Sequence, residues 1–562
     1  MLAVGLALSV FVGALAIGSA QEEELPAGGT GAYFPWVPYA ADLDGMGPFY
    51  GAVTVQNLES DAHDLYFFAG VGESDQAYGD PYVVGNVQGD ASVTVNASDL
   101  GVSEPGAPVR VHSVPNGVGI SWDSDENEFI GLPEDDDNNN GDDNSFLGLG
   151  DVLGNVAGTV KNVSPMPSES ARTSAAHVTV DGYSGLTEEQ VAFDEDTHML
   201  PIVQTNDGWN TEIKIASFAG ENDPNPGTSY TITFYESGGQ GSAGPSSGSY
   251  SEQIKGGEVH TIDITDIAGI DEGWVGNAFI TSNAPVGAVA ERFKAEDEML
   301  LTNVSRPVLT DDNGFNQVQD IAYAPLVFQQ YNNWNTGISV ANLDDTQSNT
   351  VTITYFTPGG SQVGSDQLTI PPRGMEFVFT AGDQDLGLGD GHIGAAIVSG
   401  TTALQAAVDQ VKYLGDAEDT GDAMSYLTNH QAFDGEVADN PDMLALPLVQ
   451  KGNPATGLGD TTGVQFFNPN PQFNTVFDVT FYDPTGNPVA PTLDEEITVN
   501  LSAHQGFTLY THNYSEMPAG FQGSLIVDVH EGNVSAVSNN VNYETGADGA
   551  VVFNLIEVFD ND

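Results

Sequence analysis

A stretch of ten residues, Asn333 to Asn342 (N-W-N-T-G-I-S-V-A-N), recurs in related form four times, and this repetition constrains the fold more than any other feature. Each copy opens with a short apolar run that contains a proline. Pro201, Pro325 and Pro447 follow one another at intervals of 124 and 122 residues. Pro35 precedes Pro201 by 166 residues, so copy 1 carries an insertion of about 40 residues in a module of about 120.

A module of this length is an ordinary domain size, and 562 residues accommodate four such modules. We therefore predict four tandem domains behind an N-terminal signal segment. The predicted boundaries are a signal peptide at 1-20, a flexible leader at 21-31, sandwich 1 at 32-195 with an acidic insertion at about 123-150, sandwich 2 at 196-317, sandwich 3 at 318-437 and sandwich 4 at 438-562.

The modules consist of short runs in which apolar and polar residues alternate, separated by turn residues about every 8 to 12 positions. This pattern predicts an all-β fold of Ig-like antiparallel β-sandwiches. The opening prolines predict an edge strand at the start of each module, because proline cannot donate to a central ladder. The joins between modules are short and polar, which predicts a semi-rigid rod or arc.

The chain has 11 Lys and Arg against 80 Asp and Glu, a formal charge of −69. Such a chain repels nucleic acids and anionic membrane surfaces, so we expect no nucleic-acid partner. The same charge destabilises a folded state unless cations screen it, which indicates a salty medium, bound divalent cations, or both. There is no cysteine, so disulfides and thiolate metal sites are excluded.

The N-terminus has the pattern of an export signal. Leu2 to Ile17 is apolar and is followed by Gly18-Ser19-Ala20, a small-residue cleavage site. The alternative is a retained membrane anchor, although about 16 apolar residues are short for a span. No second apolar segment follows, so we expect an extracellular or cell-surface protein without a membrane span in the mature chain.

The acidic insertion contains a partial match to a calcium-binding loop. Asp136, Asn138, Asn140 and Asp142 alternate as oxygen ligands would, and Gly141 stands where an EF-hand turns sharply. The twelfth position is Leu147 in place of the bidentate Glu. Hard oxygen ligands would select calcium or another divalent cation such as magnesium. The alternative is a solvated acidic loop that binds nothing.

Trp209 and Trp334 occupy the same place in copies 2 and 3, directly before N-T. One interpretation makes them stacking platforms for sugars. The other, which we favour, makes them packing residues of the core or of the contacts between modules, because burial is the commonest use of a large aromatic residue in a sandwich.

No motif points to catalysis. Gly244 to Gly248 spells G-x-S-x-G, but it lies in a Gly/Ser tract where a strand-to-helix elbow is not expected. The residues that recur are strand and turn residues, whereas an active site normally occurs once on specialised loops. We therefore expect no catalytic residues, no cofactor other than divalent cations, and no enzymatic activity.

Copies 2 to 4 resemble the tandem β-sandwich repeats of secreted and cell-surface proteins of Chloroflexota-type bacteria, which are S-layer-like. The resemblance rests on L-P-L-V, N-W-N-T-G-I-S-V-A-N, V-T-I-T-Y-F-T-P-G-G, I-P-P-R-G and A-A-V-D-Q-V-K-Y. It implies an extracellular role on an Ig-like sandwich and supplies no catalytic residue. Copy 4 lacks the Trp, with Gly457 to Gly463 in its place, and copy 1 lacks both the Trp and N-T.

These observations lead to a prediction of a structural surface protein, a subunit of an S-layer, sheath or filament. Its acidic surfaces would be bridged by cations, and its partners would be further copies or other envelope proteins. Exposed sheet edges would pair with another copy of the protein, and a head-to-tail contact of this kind would propagate into a lattice or fibre. The alternative function is an adhesin or carbohydrate-binding surface protein, for which glycans would be the partners.

Overall fold

The computed structural model describes residues 31–558 apart from 74–75, 117–120, 124–127, 131–154, 164–179, 192–196, 220–227, 238–246, 309–319, 382–387, 413–421, 429–442, 453–459, 490–495 and 543–550. Almost all of the described secondary structure is antiparallel β-strand. The predicted fold class, all-β with antiparallel sandwiches, is confirmed. The domain boundaries given above remain predictions, and residues 1-30 lie outside the description.

Copy 1 has the most elaborate set of strands. They are β1 (Gly31–Leu43), β2 (Met46–Asn57), β3 (His63–Glu73), β4 (Gln76–Tyr78), β5 (Tyr82–Val87), β6 (Ser92–Asn96), β7 (Gly106–Pro115), β8 (Ser121–Asp123), β9 (Glu128–Ile130), β10 (Val156–Val163), β11 (Val180–Ser184) and β12 (Leu186–Thr187), followed by a single-turn helix, α1 (Glu188–Val191).

Copies 2 and 3 are more regular. Copy 2 consists of β13 (Thr197–Gln204), β14 (Asn210–Ser217), β15 (Thr228–Glu236), β16 (Gly248–Ile254), β17 (Val259–Asp263), β18 (Val275–Ser282), β19 (Val286–Lys294), β20 (Met299–Val304) and β21 (Arg306–Val308). Copy 3 consists of β22 (Ile321–Gln329), β23 (Trp334–Asn342), β24 (Asn349–Phe356), β25 (Gln362–Ile370), β26 (Met375–Phe379), β27 (His392–Ser399), β28 (Leu404–Lys412) and β29 (Asp422–Leu427).

Copy 4 repeats the same plan. Its strands are β30 (Met443–Gln450), β31 (Asp460–Phe467), β32 (Thr475–Tyr482), β33 (Glu496–Leu501), β34 (Gly506–Tyr510), β35 (Gln522–Glu531), β36 (Ser535–Asn542), β37 (Val551–Asn554) and β38 (Ile556–Val558). Short 3-10 helices occupy Ile264–Asp266, Ala295–Asp297 and Thr511–Asn513.

Every copy arranges its strands in the same two sheets. The first sheet contains the opening strand and is ordered β16-β15-β18-β13-β21 in copy 2. The second sheet contains the repeated motif and is ordered β17-β14-β19-β20. Copies 3 and 4 have the corresponding orders, and in copy 1 the two sheets are joined because β1 continues past the sandwich and pairs with β2.

The opening proline lies at an irregularity of the strand in all four copies. The pairing register shifts between Phe34 and Val37, Leu200 and Val203, Ala324 and Val327, and Leu446 and Val449. Proline lacks the N–H that a regular ladder uses, so a bulge accommodates it. Among the four opening strands, as far as the described residues show, only β22 is an edge strand. β13 and β30 also pair with the short strands β21 and β38, at residues before the proline.

The four copies close into a ring. The second sheet of each copy packs on the first sheet of the copy before it: β14 and β19 on β1, β23 and β28 on β13, β31 and β36 on β22, and finally β2 and β10 on β30. At the centre, the last strands of the second sheets meet in the cyclic order β11, β20, β29, β37. Head-to-tail contacts of this kind form a ring when the rotation between units closes.

The expectation of a rod or arc is therefore wrong. Short joins keep successive copies adjacent, but they do not determine which faces meet. Leu58 and Ala157 of copy 1 are buried against Ala445 and Ile526 of copy 4, at opposite ends of the repeat. The faces by which successive copies meet are thus covered inside the chain.

Candidate functional site

The predicted calcium ligands Asp136, Asn138, Asn140 and Asp142 lie outside the described residues. Most of the acidic insertion also lies outside the described residues. Near it, the structure describes β8 and β9, which pair as a two-stranded hairpin. Among the residues that the structure does describe, no group of three or more His, Asp or Glu is placed to hold a metal ion. The calcium site remains a prediction.

The threonine of the repeated N-T motif ties the motif strand to the end of the opening strand. Its hydroxyl accepts a hydrogen bond from the backbone N–H of Gln204 in copy 2, Phe328 in copy 3 and Gln450 in copy 4, at 2.8 to 2.9 Å from Thr211, Thr336 and Thr462 respectively. A buried backbone N–H needs such a partner. The recurrence of this threonine is therefore explained by structure.

The asparagine that ends the motif is used in the same way in three copies. The amide nitrogens of Asn57, Asn342 and Asn468 each lie 2.7 to 3.3 Å from three backbone carbonyl oxygens in two loops. Their side-chain oxygens accept from the backbone N–H two residues on. Each asparagine is almost fully buried and joins two loops of its sandwich. Its amide N–H groups are therefore used within the fold.

The two tryptophans are both covered. Trp209 is 8% exposed and packs between copies 2 and 3, against Met299 and Leu301 on one side and Val411 on the other. Trp334 is 6% exposed and lies in the core of copy 3, near the ring of Phe328. Neither indole presents a face to solvent on which a sugar ring would stack.

A buried arginine joins copies 2 and 3. Arg292 on β19 is fully buried and donates to both carboxylate oxygens of Asp409 on β28, at 2.5 and 2.6 Å. It also donates to Asn303, which in turn donates to Ser425. A bidentate pair with these additional hydrogen bonds is the geometry in which a buried charge is tolerated.

Copies 1 and 2 meet around a second buried pair. Lys214 lies 3.6 Å from Glu291 and faces the ring of Trp36 at 5.0 Å, while the indole N–H of Trp36 donates to Glu291 at 3.2 Å. Burial raises the pKa of Glu291, although the charge of Lys214 acts in the opposite direction. The carboxylate thus fastens copy 2 to copy 1.

Most of the few Lys and Arg side chains are buried or half-buried. Of the Lys and Arg side chains in the described part of the chain, only Lys255 is exposed, and Arg110, Lys161, Lys214 and Arg292 are buried. Lys161 joins copy 1 to copy 4 by an ion pair of 3.0 Å with Asp460. Carboxylates therefore dominate the charge of the exterior.

A cleft of about 320 Å³ opens beside Lys161. Its walls include Tyr39 and Tyr50, whose ring centroids are 5.5 Å apart and nearly perpendicular, and the segment Asn96 to Ser98. Lys161 donates to Gln450 at 3.2 Å and to Asp460. This volume lies at the lower end of the range for small-molecule sites.

Sequence reasoning found neither the buried ion pairs nor the cleft. The one signal available was position: Lys161, Lys214 and Arg292 stand inside alternating apolar strands of a chain with only 11 cations. A cation in such a place is either paired or functional. Nothing in the sequence identifies the partners, which lie more than 100 residues away for Arg292 and Lys161.

No helix of the described residues is long and apolar enough to cross a bilayer. No family model and no curated protein matches the chain. Three solved structures are similar at very low level. The first is a GH78 family rhamnosidase of Bacillus sp. GL1, with a TM-score of 0.13 and 9% identity over 61% of this chain and 54% of that one, so the chain spans about half of that protein.

The other two are adhesion proteins. One is a Ca2+-stabilized adhesin that helps an Antarctic bacterium reach out and bind ice, with a TM-score of 0.08 and 11% identity, and the other is a tetra-tandem repeat in the extending region of a large adhesion protein, with a TM-score of 0.08 and 10% identity. Both matches cover 95% of this chain and 100% of the other. All three TM-scores are too low for the likeness to carry an argument about fold or function.

Proposed function

We propose that this protein is a non-enzymatic structural protein of the cell surface or extracellular space, a subunit of an S-layer, sheath or filament. Its building unit would be the closed ring of four copies. The observation that carries the proposal is the placement of charge: of the described Lys and Arg side chains only Lys255 is exposed, the others are buried or half-buried, and carboxylates dominate the exterior. Cations between such exteriors would hold neighbouring rings together.

The roles of the repeated residues support this proposal. The threonine and asparagine of the motif satisfy backbone groups, and the tryptophans fill the core or the contact between copies. A repeat whose recurring features serve structure is what a scaffold requires. The resemblance to secreted tandem-repeat proteins and the apolar N-terminal stretch favour export.

Contacts between rings would use the outer sheet edges, because the head-to-tail faces are covered. Strands β16, β25 and β33 each pair on one side only within the described residues. β25 is nine residues long and mostly exposed or half-buried, and it carries Asp366. An unpaired edge of this kind accepts a strand from another molecule unless charge prevents it, and a cation would relieve that repulsion.

The test is the state of association of the mature protein at constant ionic strength, measured by light scattering and negative-stain electron microscopy. Millimolar calcium is expected to produce ordered arrays or filaments, and EDTA to return them to single rings. Magnesium and sodium salts at the same ionic strength are the controls. Assembly with calcium but not with sodium would indicate that the cation bridges carboxylates and does not merely screen their charge. Single rings under every condition would contradict the proposal.

The alternative function, an adhesin or carbohydrate-binding surface protein, is favoured by the cleft beside Lys161 and not by the tryptophans. The two functions are compatible in one molecule, since the cleft belongs to copy 1 and the outer edges β16, β25 and β33 to copies 2 to 4.

A further inference from the structure

We propose that the cleft formed by Tyr39, Tyr50, Lys161 and the segment Asn96 to Ser98 binds an uncharged saccharide, of the size of a monosaccharide or the end of a glycan chain. The inference does not rest on the structural role proposed above, because the cleft faces outward from one copy whether or not rings assemble.

The cleft lies in copy 1, the copy in which the two sheets are joined. Tyr39 belongs to the part of β1 that runs beyond the sandwich and pairs with β2 as a hairpin, and this hairpin joins the two sheets in copy 1 alone. This hairpin is an addition to a repeated scaffold. Binding residues commonly lie on such added segments, because the scaffold holds them in place.

The position of Lys161 is occupied in every other copy by a different residue. Strand register places Glu291 and Asp409 at the corresponding positions of copies 2 and 3. There, Glu291 is covered by Trp36 and Asp409 by Arg292, each from the preceding copy. In copy 1, Lys161 is likewise held by Gln450 and Asp460 of copy 4, and it also lines the cleft, where Tyr50 is 39% exposed.

The residues that line the cleft suit a sugar ring, which has apolar faces and hydroxyl groups at its edge. Tyr39 and Tyr50 supply flat apolar surface together with phenol groups. Lys161 lines the cleft, and its ammonium group is held by Gln450 and Asp460. Asn96 and Ser98 also line it and belong to residue types that hydrogen-bond to hydroxyl groups.

Charge decides between a neutral and an acidic saccharide. Asp460 already neutralises Lys161 at 3.0 Å, so the cleft has no unpaired positive charge to offer. The net charge of −69 repels a carboxylate or sulfate as it approaches. An uncharged sugar meets neither obstacle.

The experiment is saturation-transfer NMR followed by titration of the full-length protein with the methyl glycosides of glucose, galactose, mannose and N-acetylglucosamine, with methyl glucuronide as the charged comparison. At least one neutral glycoside is expected to bind saturably. Tyr50→Ala should weaken that binding at least about tenfold by removing the exposed wall. Tyr50→Phe, which keeps the ring, should retain most of it.

Tyr331→Ala is the matched control, because Tyr331 is exposed to a similar extent, 37%, but lies in copy 3. Thermal unfolding of each variant checks that it is folded. Absence of binding by all neutral glycosides, binding by the glucuronide in preference to them, or equal binding by folded Tyr50→Ala would each overturn the inference. None of these results bears on whether rings assemble with calcium.

Discussion

At the scale of single residues, two buried tyrosines hydrogen-bond to the backbone N–H and C=O groups of the residue that follows the opening proline. The hydroxyl of Tyr426 donates to the carbonyl of Leu326 at 2.6 Å and accepts from its N–H at 3.2 Å, directly after Pro325. Tyr183 makes the same two bonds to Trp36, directly after Pro35. In copy 4 the corresponding residue, by strand register, is Phe553.

Replacing Tyr426 by Phe removes both hydrogen bonds at Leu326. Gln410 still donates to the carbonyl of Leu326 at 2.7 Å, so the N–H is the group left without its partner. We expect a loss of about 1 to 3 kcal/mol in the free energy of unfolding, measured by urea denaturation. Tyr331→Phe, at an exposed position, is the control and should cost far less. A cost below the control would show that the N–H finds another partner.

Two buried histidines predict a dependence of stability on pH. Burial lowers the pKa of His198 from 6.5 to about 4, and burial together with Arg110 lowers the pKa of His112 to about 3. Below pH 6.5 the unfolded chain therefore binds protons that the folded chain does not, and stability falls as the pH decreases.

Between pH 7.5 and 5, His198 alone should remove about 2 kcal/mol from the free energy of unfolding. Most carboxylates stay ionised over this interval, so their titration contributes little. Urea denaturation at the two pH values measures the change, and His198→Gln should reduce it. The same pH dependence in His198→Gln and in the parent protein would exclude this histidine as the cause.

At the scale of elements, the contact between β19 and β28 depends on one buried ion pair. Asp409→Asn leaves Arg292 buried without its counter-charge, and we expect a loss of about 3 to 5 kcal/mol. The double variant Arg292→Met with Asp409→Leu removes both charges and should recover most of that loss, because an apolar pair of similar volume tolerates burial. Thermal unfolding of the parent protein and the two variants measures these changes. A double variant less stable than Asp409→Asn would contradict the explanation.

At the scale of the whole molecule, ring closure keeps the head-to-tail faces from meeting another molecule. Deleting copy 4, residues 438-562, uncovers Leu58 and Ala157 on copy 1 and the outer face of β22 on copy 3. These two faces are complementary to parts of the same repeat, so the shortened chain should self-associate. Light scattering after size-exclusion chromatography measures the effect.

The control for this deletion is a shortened chain with Leu58→Asp and Ala157→Asp, which should remain monomeric because a charged face cannot pack on an apolar one. A monomeric shortened chain without these substitutions would show that closure does not depend on complementary faces.

The sequence by itself determined the all-β class, the length of the repeat and the positions of its strands. These follow from local causes: alternation of apolar residues, turn residues, and a proline that recurs at the same place in each copy. The structural roles of the motif threonine and asparagine could not be read from the sequence, because their partners are backbone groups in other segments of the module.

Only the tertiary structure decided that the copies form a ring, that Lys161, Lys214 and Arg292 are buried where copies meet, and that a cleft opens beside Lys161. These features depend on which outer faces meet. The residues at one position of those faces differ among the copies, as Lys161, Glu291, Asp409 and Asn539 do. A contact between such faces joins residues more than 100 positions apart, and its complementarity exists only once both partners are folded.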